Sequence, residues 1–301
     1  MTDEIVVIQA VSRKFGGTVA LADVTLSVVR GTVFGLVGEN GAGKTTLIKH
    51  LLGLYRAEQG QVSVFGRDPV RDPAGVLGRI GYLSEDRDLP EWMRVGELMS
   101  YTRAFYPCWD DRLARELLEM FELDTGQKVR TLSRGQRARA GLLVAVAHRP
   151  ELLLLDEPSS GLDPGARLDI LAAIVRTVAD EGRTVLLSSH LLHEVQRVAD
   201  HVAMLHRGRL LLKEPLDDLL ARHRALTMHF ATAPAAPPRW PGALGWTGQG
   251  AEWTCLCNGH GTACKQLADE AGAAVVEERA PSLEEIFLAY TRQGAAGSSQ
   301  S

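Results

Sequence analysis

The stretch Gly38-Glu39-Asn40-Gly41-Ala42-Gly43-Lys44-Thr45 constrains this chain more than any other, because it fits G-x-x-x-x-G-K-[ST] in a demanding setting. An apolar, β-branched run, Val33–Val37, precedes it. Leu47, Ile48, Leu51 and Leu52 follow at helical spacing, with Gly53 as a stop. Gly38, Gly41 and Gly43 let backbone N–H groups curl inward around phosphate oxygens, and the positive end of the helix adds favourable charge. Lys44 then reaches the β- and γ-phosphates, and the Thr45 hydroxyl is placed for the Mg²⁺ that bridges them. A glycine-rich turn with an exposed lysine would need neither flanking element. The expectation is a nucleotide site in which Glu39, Asn40, Ala42 and Thr46 complete the cradle.

A second run, Leu152-Leu153-Leu154-Leu155, ends in Asp156-Glu157. It reads as a buried strand presenting two carboxylates at its carboxyl end, where open α/β sheets bind ligands. Asp156 would hold Mg²⁺ through water, and Glu157 would orient or deprotonate the water that attacks the γ-phosphate. The plain alternative is that one or both cap the next turn.

Residues 1–213 alternate strand and helix patterns, which favours an α/β architecture on a largely parallel sheet. Ile5–Ile8 and Thr25–Val29 read as further strands. Between Asp86 and Leu123, Trp92, Leu98, Leu113, Leu117, Leu118 and Phe121 fall at helical intervals with Asp110 as a cap, predicting a helical subdomain at about 86–140. Val185–Ser189 returns to a buried strand after a helix expected to turn Leu168, Leu171, Ile174, Val175 and Val178 inward. Past Leu212, prolines 234, 237, 238 and 241 mark a linker or irregular crossing, and a small α+β accessory domain is expected over 214–293, with 294–301 disordered. There Trp253–Cys257 and Ala274–Val276 read as strands, and Lys265–Ala271 and Ser282–Tyr290 as helices.

The order of these motifs resembles the nucleotide-binding subunits of ABC transporters over about residues 4–213. Leu132-Ser133-Arg134-Gly135-Gln136 looks like the family signature Leu-Ser-Gly-Gly-Gln, with Arg134 in place of the first glycine. The resemblance implies a P-loop ATPase domain with an antiparallel β subdomain and a helical subdomain. It further implies that ATP and Mg²⁺ are the cofactors, and that Ser133, Gly135 and Gln136 face the γ-phosphate of an opposite subunit, so that hydrolysis needs a homo- or heterodimer. Ser160-Gly161-Leu162-Asp163 resembles the D-loop at the dimer seam. His190 resembles the histidine that contacts the γ-phosphate and holds the attacking water with Glu157, which makes Lys44, Glu157 and His190 the catalytic set. Phe15, in Arg13-Lys14-Phe15-Gly16, resembles the aromatic that stacks on adenine. Glu85 stands where the family's Q-loop carries glutamine and would join Thr45 and Asp156 near the metal.

The longest apolar stretches fall far short of the ~20 residues that cross a bilayer, so the resemblance implies a separate membrane-spanning permease as partner. The helical stretch with Trp92, Met93, Tyr101, Phe105 and Tyr106 is either a groove for a partner helix or subdomain core. Met1–Glu4 lacks a secretory signal, so a cytoplasmic chain, peripheral on the inner face of the membrane, is expected. The tail Ala280–Phe287 through Tyr290 resembles export ATPases of the drug-resistance type. The alternative, a soluble family member acting on ribosomes or nucleic acid, would bring two cassettes or a long coiled coil, and a formal net charge of −4 offers no basic field. A GTPase would need Asn-Lys-x-Asp, which is absent. Cys255, Cys257, His260 and Cys264 invite a zinc reading, but their spacing is not a paired Cys-x-x-Cys form, and they read as small buried residues.

Overall fold

Apolar runs without polar alternation need cover on both faces, and this chain supplies it by interleaving strands with helices. The computed structural model describes residues 3–179, 182–259 and 261–297. The chain runs β1 (Glu4–Phe15), β2 (Thr18–Val29), β3 (Val33–Val37), α1 (Lys44–Leu51), β4 (Gln59–Val64), α2 (Pro73–Leu77) and β5 (Ile80–Leu83). Three helices follow, α3 (Val95–Arg103), α4 (Asp111–Met120) and α5 (Arg134–Val146). The alternation resumes with β6 (Leu152–Asp156), α6 (Pro164–Ala179), β7 (Thr184–Ser189), α7 (Leu192–Val198), β8 (His201–His206) and β9 (Arg209–Pro215). The last elements are α8 (Leu216–Arg222), β10 (His223–Phe230), β11 (Ala243–Gln249), β12 (Glu252–Asn258), α9 (Gly261–Glu270), β13 (Ala273–Arg279) and α10 (Leu283–Gly297). They form two units, Met1–Lys213 and Glu214–Ser301.

In the first unit a six-stranded sheet has the order β5-β6-β7-β3-β8-β9, with β5 through β8 parallel to their neighbours. Every residue of β3, β6 and β7 is buried. An antiparallel sheet, β2-β1-β4, shares one core with it: Ile5, Ile8, Leu21 and Val24 cluster with Phe34, Leu47, Leu152 and Leu186. Each such side chain withdrawn from water contributes about 1.5–3 kcal/mol, so the two sheets are fixed against each other around α1.

Two expectations change here. Trp92 is not on a helix: it lies in a turn and is 72% exposed. Glu97 accepts the Arg94 N–H at 2.7 Å, so the capping box starts α3 only at Val95. On α6, Leu168 and Val175 are exposed while Ala166, Ile170 and Ala173 are buried. The Arg139–Asp169 ion pair, at 2.6 Å, turns that face toward α5 instead. The side chains of Ile174 and Val178 lie outside the described residues.

The second unit is a four-stranded antiparallel sheet, β11-β12-β10-β13, with α9 packed on β10, β12 and β13. Ser282 and Glu285 exchange side-chain and backbone bonds at 3.2 and 2.8 Å, the capping box that opens α10. That helix runs through Gly297, four residues into the stretch expected to be disordered; 298–301 lie outside the described residues, as does His260. No helix among the described residues is long and apolar enough to cross a membrane.

Candidate active site

Strand register gathers the motifs. Val37 pairs with Ser189, Asp156 with Ser188 and Leu83 with Leu155, so the carboxyl ends of β3, β5, β6 and β7 emerge along one edge. The loop from Gly38 then turns into α1, whose first residue is Lys44. Gly43 makes the turn with φ 108°, and a Cβ there would strike the Ala20 carbonyl oxygen; only glycine meets both demands.

Lys44 Nζ donates to Gly38 O at 2.7 Å and Glu39 O at 3.1 Å, and lies 2.9 Å from Glu157 Oε1. Both side chains are almost fully buried. Removing two charges from water costs several kcal/mol each, and only mutual attraction with added hydrogen bonds offsets it. The other oxygen of the same carboxylate, Glu157 Oε2, is 2.6 Å from His190 Nδ1 and accepts the His190 backbone N–H at 3.2 Å. One carboxylate therefore bridges the ammonium and an imidazole that keeps an exposed face. Glu157 holds this position with φ 47°, while its N–H donates to Ser188 O and Ser188 Oγ, each at 3.1 Å.

Asp156 Oδ1 accepts the Ser188 hydroxyl at 2.6 Å, and its Oδ2 is buried without a hydrogen-bond partner. Burial raises the Asp156 carboxyl above the ordinary carboxylate range, opposed by bonds from the Ser188 and Thr45 hydroxyls; the neighbouring Glu157 charge raises it further. An orphaned carboxylate oxygen beside a threonine hydroxyl is a donor pair that suits a hard cation such as Mg²⁺. Glu85 is exposed and lines a 440 Å³ cavity with Asp86, Arg87, Leu132, Arg134 and Arg137.

Phe15, 40% exposed, ends β1 with its ring 5.3 Å from Tyr55 and the Arg13 guanidinium 4.8 Å over it. Ser133 caps α5: its Oγ accepts the Gln136 N–H at 3.1 Å, and Gln136 Oε1 accepts the Ser133 N–H at 3.0 Å. The Ser133 hydroxyl proton stays available to an external oxygen. Gly135 lies so close to Asp163 and Ala166 that a Cβ would meet both at 3.2 Å, and Asp163 Oδ1 caps α6 through the Ala166 N–H at 3.0 Å.

Two residues here were missed in the sequence. Ser188 carried a signal, a hydroxyl inside a wholly buried apolar strand. Arg87 carried none. It is 2% exposed, takes φ 52°, and its Nη2 donates to Ser160 O at 2.7 Å and Pro158 O at 3.1 Å. Burial lowers its pKa, and the Arg134 charge adds to the effect. The Arg134 guanidinium in turn lies where a Cβ on Gly161 would fall.

The sequence profile of the ABC transporter family matches residues 21–160. The daunorubicin resistance ATP-binding protein DrrA3 of Streptomyces coeruleorubidus is 37% identical over 226 residues, spanning 73% of this chain and 71% of that protein. The bacitracin transport ATP-binding protein BcrA of Bacillus licheniformis is 33% identical over 215 residues, spanning 71% and 70%. A solved ATP-binding subunit of an ABC transporter superposes with a TM-score of 0.66 at 29% identity, over 72% of this chain and 92% of that one. With the phosphate loop, the carboxylate strand and the signature helix in one unit, the chain belongs to the ATP-binding subunits of ABC transporters, ATPases that power transport through a separate permease.

Proposed function

We propose that the chain hydrolyses ATP through the constellation centred on Glu157 and passes the resulting movement to an export permease. The observation that carries this reading is the single buried carboxylate shared between Lys44 and His190. On nucleotide binding Lys44 exchanges Glu157 for phosphate oxygens, which releases Oε1 to accept a proton from water while His190 holds Oε2. Thr45 and Asp156 hold Mg²⁺, with Glu85 lending a further oxygen; the bound ion supplies charge neutralisation between the phosphates. Backbone N–H groups of Gly38 to Thr46 cradle the nucleotide phosphates, and the exposed face of Phe15 stacks on the base.

Ser133, Gly135 and Gln136 bind the γ-phosphate of a second ATPase subunit, identical or homologous, and Asp163 lies at the seam. A twofold arrangement gives each site both halves. The chain then works at the inner face of the cell membrane. Trp92, Tyr101 and Phe105, which are 72%, 51% and 63% exposed, offer the permease an aromatic docking surface. Export is supported by the names of the two relatives, a resistance protein and an antibiotic-transport protein.

The test pairs two variants. Lys44→Ala is expected to lose nucleotide binding, whereas Glu157→Gln should bind ATP, dimerise and turn over at least ~100-fold more slowly. Normal turnover by Glu157→Gln would remove Glu157 from the reaction.

A further inference from the structure

The second unit buries three of the chain's four cysteines at one point. Cys255 and Cys257, two residues apart on β12, project from the same face of the strand, and Cys264 sits in the first turn of α9, which packs on β12. All three are fully buried, and their sulfurs lie within 4.8 Å of one another. Cys257 Sγ is 2.8 Å from Cys264 Sγ and 3.5 Å from Cys255 Sγ. The surrounding core is apolar, with Leu226, Met228 and Ala268 buried against the cluster.

Packing alone explains this poorly. Non-bonded heavy atoms gain dispersion energy at about 3.5–4.0 Å and repel well inside it, so a core built only to fill space would separate the 2.8 Å pair. A disulfide would use two sulfurs and leave the third without a reason to converge. A bound ion uses all three: sulfurs about 2.3 Å from a tetrahedral ion stand roughly 3.8 Å apart, a separation compatible with three ligand atoms that gather within 4.8 Å of one another, the closest pair opening to admit it. Thiolates select soft cations, and the positive end of α9 favours a thiolate in its first turn.

We infer that Cys255, Cys257 and Cys264 form a thiolate site for one soft d¹⁰ cation, zinc or monovalent copper, which clamps α9 onto the sheet of the C-terminal unit. Each S–H gives its proton to solvent as its sulfur–metal bond forms, and no electron is transferred. The hydrogen bond with the Cys255 thiol, and then burial, push Cys257 far above the ordinary thiol range, and burial pushes Cys264 up to about 12. With all three sulfurs sealed in the core, exchange of the ion requires local opening of α9.

The experiment is metal analysis of the full-length protein, purified under reducing conditions and reconstituted separately with Zn²⁺ and Cu⁺, with Co²⁺ as spectroscopic substitute for zinc. The expected result is about one equivalent per chain, a thiolate-to-cobalt charge-transfer band, and a fall in unfolding temperature on chelation. Cys257→Ser and Cys264→Ser should each lower the bound metal at least tenfold, while Cys108→Ser, at an exposed position, keeps it. Circular dichroism of the variants separates lost metal from lost fold. Cys255→Ala, which leaves the closest sulfur pair in place, should also bind less. A metal-free protein whose four thiols all titrate after denaturation would overturn the site, as would one short of two thiols because of a disulfide.

Discussion

The Arg87 guanidinium donates to the Ser160 carbonyl oxygen at 2.7 Å, joining the loop that leaves β5 to the loop that leaves β6. A cation with 2% exposure keeps its place only where acceptors meet it, and here both acceptors, Ser160 O and Pro158 O, are backbone. Arg87→Ala is expected to keep nucleotide affinity within about twofold and to reduce turnover about tenfold, ~1.4 kcal/mol of barrier. Nucleotide titration beside steady-state ATPase rates separates the two effects. Parallel loss of both would assign Arg87 to local folding alone.

Ser188 supplies a hydroxyl to Asp156 and an acceptor to the Glu157 N–H. Its bond opposes the rise that burial imposes on the Asp156 carboxyl. In Ser188→Ala that pKa should climb further, so Asp156 becomes protonated at higher pH and the acid limb of the rate profile moves upward. An unmoved limb in a pH–rate series would show that Asp156 does not govern it.

Arg134 packs its guanidinium against Gly161 within one subunit. Arg134→Gly should leave ATP binding by the monomer unchanged and alter turnover severalfold, on the order of 1 kcal/mol. The variant also removes a like charge from beside Arg87. A changed monomer affinity would place Arg134 in the subunit's own nucleotide pocket.

Glu151 accepts from Arg79 Nε at 2.5 Å and Arg30 Nη1 at 2.9 Å, and these guanidiniums, Arg79 first, hold its carboxyl down to about 2. The folded value lies below the unfolded one, so the stabilisation is complete above about 4.5 and disappears as pH falls toward about 2. All three side chains are at least a third exposed, so solvent screening limits the pair to about 1 kcal/mol or less. Melting temperatures of Glu151→Gln should lie below the parent at pH 7 and converge with it in acid. A constant offset across that range would mean the loss is packing rather than charge.

The α/β reading and the family were legible because they rest on local features that physics links to one outcome. A glycine-rich loop between an apolar strand and a helix leaves few alternatives, and four leucines ahead of two acids leave the strand no solvent face. What escaped depends on partners distant in sequence. The inward face of α6 is chosen by Arg139 on α5, and the buried role of Arg87 is set by carbonyls more than seventy residues away. β10 and β11 flank the proline cluster inside the accessory domain and are not legible as strands in the sequence, because His223, Arg224 and His229 dilute the apolar alternation of β10 and glycines that of β11. The three thiols met only when α9 folded onto β12.

Glu157 holds a left-handed backbone at φ 47°, a conformation that costs a residue with a side chain roughly 1–2 kcal/mol. Glycine would take the same turn at no steric expense, but it carries no carboxylate for Lys44 and His190. The glutamate is therefore kept against the preference of its backbone: Glu157→Gly would relax the turn but strand the buried Lys44 ammonium without its carboxylate, so the variant should melt below its parent as well as turn over almost no ATP.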